Sequence, residues 1–241
     1  SNFTDAEFVD DAVFKRSEFT DDVLFDDVRF NGGADFDEVL FDGDSTFTNA
    51  VFAGTATFRG AIFNGGTNHI EEDAVFREAT FVGAVDFSDV TCTSAEFTEV
   101  AFKQSADFTD AEFTDSLRLK AMSFGDDTYL NFTEATISEG RIVQPKDGWV
   151  RFDLTRSTVG DVELSAENPT DERELLDYAR FCDTAFEGFT FSHHTDYLDR
   201  NDWNLHSFDD GTCPYEFAVE MTPDVVEKTY LRAKNSASAQ S

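Results

Sequence analysis

Cysteine is scarce in this chain, with 3 residues among 241. An odd, sparse set builds no disulfide framework and suits a reducing compartment, so a cytoplasmic location is expected. No stretch approaches ~18 consecutive apolar residues, which excludes a transmembrane helix in this segment. No charged n-region followed by an apolar h-region stands at the start, so no signal peptide is read there. The chain opens inside a repeat at Ser1-Asn2-Phe3, without an initiator Met, as a piece of a longer protein would. Lysine is scarce as well: 6 Lys and 12 Arg stand against 31 Asp and 19 Glu, giving a net charge of -32. Contacts to phosphate need Lys and Arg, so direct nucleic-acid binding is excluded. Also missing are a Ser/His/Asp arrangement, a phosphate-cradling Gly loop, a metal-hydrolase motif and an EF-hand or G-G-x-G-x-D calcium repeat. These absences point away from an enzyme.

What the chain has is phenylalanine, 28 of them. They recur at alternating gaps of five and six residues: Phe3, Phe8, Phe14, Phe19, Phe25, Phe30, Phe36, Phe41, Phe47, Phe52, Phe58 and Phe63. Two gaps make an 11-residue unit, x-x-x-A-x-F-x-x-A-x-F, and a fixed period is the signature of a solenoid. Two residues before each Phe sits a small or β-branched residue, such as Ala6, Ala12, Ser17, Val23 or Ala34. Side chains two apart on a strand share a face, so each triplet directs a small residue and a Phe inward and its middle residue outward. A helix is excluded here, because apolar gaps of this kind make no 3.6-residue stripe.

The triplets Ala6-Glu7-Phe8, Ala34-Asp35-Phe36, Ala106-Asp107-Phe108 and Ala111-Glu112-Phe113 resemble the pentapeptide-repeat pattern A-(D/N)-(L/F)-x-x. The resemblance covers about Phe3 to Phe124. It implies an all-β chain wound as a right-handed quadrilateral β-helix, one five-residue unit per side. Here every second unit carries one extra residue, placed at corners such as Val9-Asp10-Asp11 and Asn31-Gly32-Gly33. Four sides then consume about 22 residues, with Phe8, Phe14, Phe19, Phe25, Phe30, Phe36, Phe41, Phe47, Phe52, Phe58 and Phe63 stacked inside ~4.8 Å apart. A weaker continuation is read in Leu130-Asn131-Phe132, Ala135-Thr136-Ile137, Val150-Arg151-Phe152 and Val162-Glu163-Leu164.

The rhythm slips in three places. Between Phe63 and Phe76 the run Asn64 to Asp73 is read as adding two residues, a bulged corner in which His69 is solvated. At Cys92 the inward position takes a small core residue rather than a reactive thiol. A further insertion, Gly125 to Tyr129, precedes Phe132.

Residues 1–166 are therefore read as the β-helix, regular to about 124, and 167–241 as a helical capping region with a partial coil at Phe181, Phe186, Phe189 and Phe191. Helices are expected over Asn168–Arg180, from Tyr197 to about Leu205, and from Thr222-Pro223 to Ser238, the last with Pro at its first position. Such helices would cover open strand edges at one end. The uncapped first coil allows end-to-end pairing of two copies. The stretch Val226–Asn235 resembles a segment of larger haloarchaeal pentapeptide-repeat proteins, some of which continue into a channel-like membrane domain.

One cluster carries metal-ligand chemistry. Cys182, His193, His194, His206 and Cys213 lie within 32 residues and are of the types that bind zinc. Their spacing offers neither C-x-x-C nor H-x-x-x-H. The competing reading has His193 and His194 at a helix start and Cys182 in the core.

An Asp-rich, Lys-poor surface resembles that of salt-adapted, haloarchaeal proteins. It repels itself, but at ~1 M salt the Debye length is only ~3 Å. The leading expectation is a non-enzymatic scaffold or protein-interaction domain, since a solenoid offers a long surface rather than a pocket. The family resemblance also implies a DNA mimic that occupies the DNA site of a type II topoisomerase. Residues 1–124 carry 26 acids and 8 bases, a net of -18. Spread over about 27 Å, this is one charge per ~1.5 Å, against ~1.7 Å in duplex DNA. Acids at nearly every outward position are read as coating all sides, which favours the salt-adapted scaffold.

Overall fold

A two-residue strand is too short to stand alone. In the first coil of this chain each one pairs in parallel with the strand 22 positions further on: Glu7 with Arg29, Ala12 with Ala34, Glu18 with Leu40 and Val23 with Ser45. The structure is a computed structural model and describes residues 1–65, 73–122, 128–167, 175–200 and 222–239. These pairings wind the chain into a four-sided parallel β-solenoid, all-β apart from short helices near its C-terminal end. The second side is eight strands deep, from Ala12–Val13 to Ala179–Arg180.

Four columns of aromatic rings fill the interior. Phe3, Phe25, Phe47, Phe76 and Phe97 stack face to face with centroids 4.8, 4.9, 4.7 and 4.9 Å apart. Phe14, Phe36, Phe58, Phe87, Phe108 and Phe132 make a second column, and Phe8, Phe30, Phe52, Phe81 and Phe102 a third. Columns on opposite sides meet edge to face across the interior, as at Phe25 and Phe36, 5.4 Å apart at 84°. Both arrangements suit the ring quadrupole. From Phe25 to Phe63 every ladder ring is buried, whereas Phe8, Phe14 and Phe19 in the first coil are partly open. The fourth column runs Phe19, Phe41, Phe63 and then Cys92, which pairs in register with Phe63 and Phe113. Cys92 is thus the small core residue expected, and burial followed by the charge of Asp73 pushes its thiol well up. The void left beside it is about 10 Å³.

The corners come in two kinds. Within the five-residue gaps the chain makes a tight turn in which the carbonyl of Phe3, Phe14, Phe47 or Phe58 accepts the N–H three residues on. The residue before that donor has positive φ, as a type II turn demands. Asp5, Arg16, Asp27, Glu38, Asn49 and Gly60 occupy this position every 11 residues, with φ between 56° and 65°. The six-residue corners solve a different problem. A Cβ at Gly54 would lie 2.4 Å from the Gly32 carbonyl oxygen, and one at Gly32 would lie 2.7 Å from backbone atoms of Asp10 and Asp11. Glycine stands there because successive coils touch.

Three sequence readings need correction. Ser45 pairs with Ala74, 29 positions on, so the run after Phe63 adds seven residues, not two. Residues 66–72, with His69, lie outside the described residues. Triplets cannot be counted across an insertion from Phe spacing alone, because the ring that re-enters the column need not be the next one due. The second correction concerns Val150-Arg151-Phe152. Leu130 pairs with Phe152 and Asn131 with Asp153, so the inward triplet is Phe152-Asp153-Leu154. The third is that the later coils lose distinct corners. Thr91–Phe102, Glu112–Met122, Thr136–Gln144 and Thr158–Ala166 are continuous strands bent around the third and fourth sides, the first two reaching the first side.

The coil resumes at Ala179–Arg180 and Ala185–Phe186, which pair with Arg151–Asp153 and Thr158–Ala166. In the expected first helix, Leu175–Tyr178 form a 3-10 turn, and 168–174 lie outside the described residues. The second is α1 (Thr195–Arg200), and its expected continuation lies outside them too. The third is α2 (Pro223–Ala239), opened by Pro223 and by a hydrogen bond from the Val225 N–H to Thr222 Oγ1. No helix among the described residues is long and apolar enough to cross a membrane.

Candidate functional site

Outside the aromatic columns, the 22-residue coil aligns charged side chains in columns. Lys15, Asp37 and Arg59 form one such column. Lys15 Nζ lies 2.9 Å and Arg59 NH2 2.6 Å from Asp37 Oδ2, and Thr57 donates to the other oxygen. Burial pushes the Asp37 carboxyl up, but the hydrogen bonds from Thr57, Lys15 and Arg59 outweigh it and hold the acid below its usual range. Arg16 pairs with Glu38, and Arg156 with Glu134, each across one coil. Arg77 forks onto Glu96, which is 7% exposed. Lys120 bridges Glu99 and Glu167. Cations on the solenoid thus tie neighbouring coils together, and the excess acid is left facing solvent.

Carboxylates also satisfy backbone. Asp11 accepts the Gly33 N–H and Asp22 the Asp44 N–H, one coil away. On the second side Asp35, Asp86, Asp107, Asn131 and Asp153 each accept the N–H two residues on. Asp110 is exposed. Partial desolvation, joined by the like charges of Glu134, Asp89 and Asp107, pushes its carboxyl up.

The acid does not coat every side, which corrects the sequence expectation. On the first side the outward positions run Glu7, Arg29, Val51, Thr80 and Ala101, with one carboxylate among the five. Alternation and composition cannot reveal this, because an acid at a corner and an acid on a side look alike until the coil is closed.

In the last coils the outward positions of the second side are buried. Tyr129 Oη donates to Asp153 Oδ2 at 3.1 Å, Thr155 Oγ1 to Asp153 Oδ1 at 2.5 Å, and Arg180, 1% exposed, lies 3.6 Å from the same carboxylate. Sequence reading missed this network, whose only signal was the recurrence of Asp107, Asn131 and Asp153 at spacings near 22. Helix α2 is fastened to the final coil at Asp183. Lys228 Nζ and Arg232 NH1 lie 2.7 and 2.8 Å from Asp183 Oδ1, and the Asp183 N–H donates to Thr229 Oγ1.

Of the zinc candidates, Cys182 is buried, and burial raises its thiol pKa. His194 is 9% exposed, stacks on Phe189 with centroids 5.9 Å apart, and immediately precedes α1. His193 lies in the same short 3-10 turn. His206 and Cys213 lie outside the described residues. Among the described residues no group of three or more His, Cys, Asp or Glu side chains could hold a metal. A shallow depression of about 260 Å³, lined by Thr136, Glu139, Thr158, Asp161, Glu187 and Gly188, lies along the third side. No nucleophile and base are paired in it.

A four-sided parallel coil with an aromatic interior defines the class to which this chain belongs. Residues 1–40 and 25–68 match the family model for pentapeptide repeats (9 copies). Residues 1–68 are thus pentapeptide repeats, and the parallel coil they begin continues through the later strands. Among curated proteins none matches it.

Proposed function

We propose that the chain is a non-enzymatic scaffold or protein-interaction domain of a salt-adapted cytoplasmic protein. The observation that supports this reading is the close-packed aromatic interior: among the described residues the void beside Cys92 is about 10 Å³, against ~300–1,000 Å³ for ligand pockets. Recognition then falls to the outer sides. Salt adaptation is supported by the net charge of -32. The test is unfolding and partner binding measured from dilute buffer to molar KCl. Stability highest in dilute buffer would remove the salt-adapted part, and turnover of a small substrate the non-enzymatic part.

Mimicry of duplex DNA toward a type II topoisomerase is the second reading, supported by the charge density of the first coils. Against it, Lys15, Arg16 and Arg59 interrupt the acidic columns, and the first side offers no continuous row of carboxylates. A gyrase supercoiling assay without inhibition at micromolar protein disposes of it. Zinc in the tail rests on the residue types alone, and elemental analysis without stoichiometric metal removes it.

A further inference from the structure

Helix α2 takes the place of a coil at one corner. From Arg16 to Arg156 the N–H of each positive-φ turn residue there donates to a carbonyl of the following coil, as Arg16 does to Asp37, Glu134 to Thr155 and Arg156 to Cys182. Asp183 holds the same conformation, φ 56°, and its N–H donates instead to Thr229 Oγ1 at 2.9 Å. Thr229 passes its own proton to the Val225 carbonyl. The inter-coil ion pairs of this corner, Arg16 with Glu38 and Arg156 with Glu134, are likewise continued by Lys228 and Arg232 on Asp183. Apolar burial is slight: among the described side chains of α2 only Thr229 and Ala233 are buried, and both are small.

We propose that α2 is an ionic-strength switch, docked on the last coil in dilute salt and released from it in molar salt. Its charge sets it apart. From Lys228 to Ser241 the chain carries Lys228, Arg232 and Lys234 and no acid, in a protein of net charge -32. A basic segment is thereby held on an acidic body. That attraction fades as the Debye length shrinks from ~30 Å at ~0.01 M salt to ~3 Å at ~1 M. Lys228 and Arg232 stand one turn apart, a like-charge pair that weakens a free helix, and Asp183 between them offsets it. Both ion pairs are open to salt, since the side chains of Lys228 and Arg232 are 54% and 40% exposed. The coils respond in the opposite sense, because the same salt screens the repulsion among their acids. Release uncovers the strand Ala185–Phe186, against which α2 packs, and frees the Asp183 N–H. It leaves an edge on which an extended segment can pair.

The experiment is hydrogen exchange of the full chain in dilute buffer and in molar KCl, each corrected with an unstructured peptide. Exchange through 223–239 is expected to be about fivefold faster in molar KCl, the equivalent of two exposed ion pairs, while the first coils slow. Sucrose at equal osmolality is expected to leave α2 protected. Asp183→Asn is expected to exchange fast at both salt concentrations. Asp183→Lys combined with Lys228→Glu and Arg232→Glu reverses the pairs. It is expected to restore both the protection in dilute buffer and its loss in salt, and Arg16 and Arg156 show that this turn accepts a long basic side chain. Exchange of α2 that slows in salt, in step with the coils, overturns the inference. So does an Asp183→Asn protein whose α2 keeps the full salt response, which would place the control away from this corner. Either result leaves the scaffold reading intact.

Discussion

Asp37 and Arg59 stand one coil apart on the second side, joined at 2.6 Å, and the same carboxylate takes Lys15 from the coil on its other flank. One buried acid thereby staples three successive coils. Asp37→Asn is expected to lower stability by about 1–2 kcal/mol, because the two cations it releases are part-exposed and regain water. The dependence on pH follows from the direction of the shift. The folded-state pKa is depressed below its ordinary value of 3.8, so the contribution is present above that value and lost as pH falls through the folded one. Urea unfolding of both proteins should show a gap that is constant near neutrality and closes in strong acid.

The aromatic columns predict a gradient along the axis. Phe58→Ala, in the middle of a fully buried column, is expected to cost about 3–5 kcal/mol. Phe8→Ala should cost clearly less, since its ring has a coil on one side only and is partly open. Denaturant midpoints of the two variants check this.

Two glycines separate two mechanisms. Gly60 has φ +65°, but the nearest atom to an added Cβ is 3.8 Å away. Gly60→Ala is expected to cost about 1–2 kcal/mol, for conformation alone. Gly54 has ordinary φ but no space, with a backbone oxygen at 2.4 Å. Gly54→Ala should cost at least about 3 kcal/mol, because two coils must separate. Equal costs would mean that the close approach is not maintained in solution.

Salt acts on two opposed terms. It screens the inter-coil ion pairs and also the repulsion of a surface with net charge -32. Exposed pairs are worth only about 0–1 kcal/mol each, so the repulsion dominates. The thermal midpoint should rise by several degrees between dilute and molar KCl, measured by circular dichroism.

The charged contacts of helix α2 with the coil converge on Asp183. Asp183→Asn removes the charge that holds Lys228 and Arg232. Hydrogen exchange should accelerate through 223–239 and stay unchanged in the first coils.

Much of this fold can be read in the sequence because one signal, the Phe spacing, reports the whole interior. Phe8 to Phe63 stand in the columns where alternation puts them. The signal fails where side chains stop being distinctive. Phe152 took an Ala-type position because Leu154 was equally able to fill the ring site. The tight-turn residues escaped because Asp, Glu and Arg at positive φ look like any other polar corner residue. The scarcity of acid at the first side's outward strand positions was hidden for a different reason: Val51, Thr80 and Ala101 are far apart in the chain and become neighbours only when coils stack. Of the zinc candidates only two have described side chains, and neither the residue types nor their spacing says where the others lie.

The seven extra residues between Phe63 and Phe76 leave the columns undisturbed: Phe76 stacks on Phe47 at 4.7 Å and 2°. The molecule therefore keeps time in whole coils and is indifferent to how much chain each consumes at a corner. Evolution or design can lengthen this rod in steps of one coil, or hang a peptide from a corner, without retuning anything inside. A deletion of one residue within a side has no such licence in its own coil, because it turns a ring outward there until the next corner restores the phase.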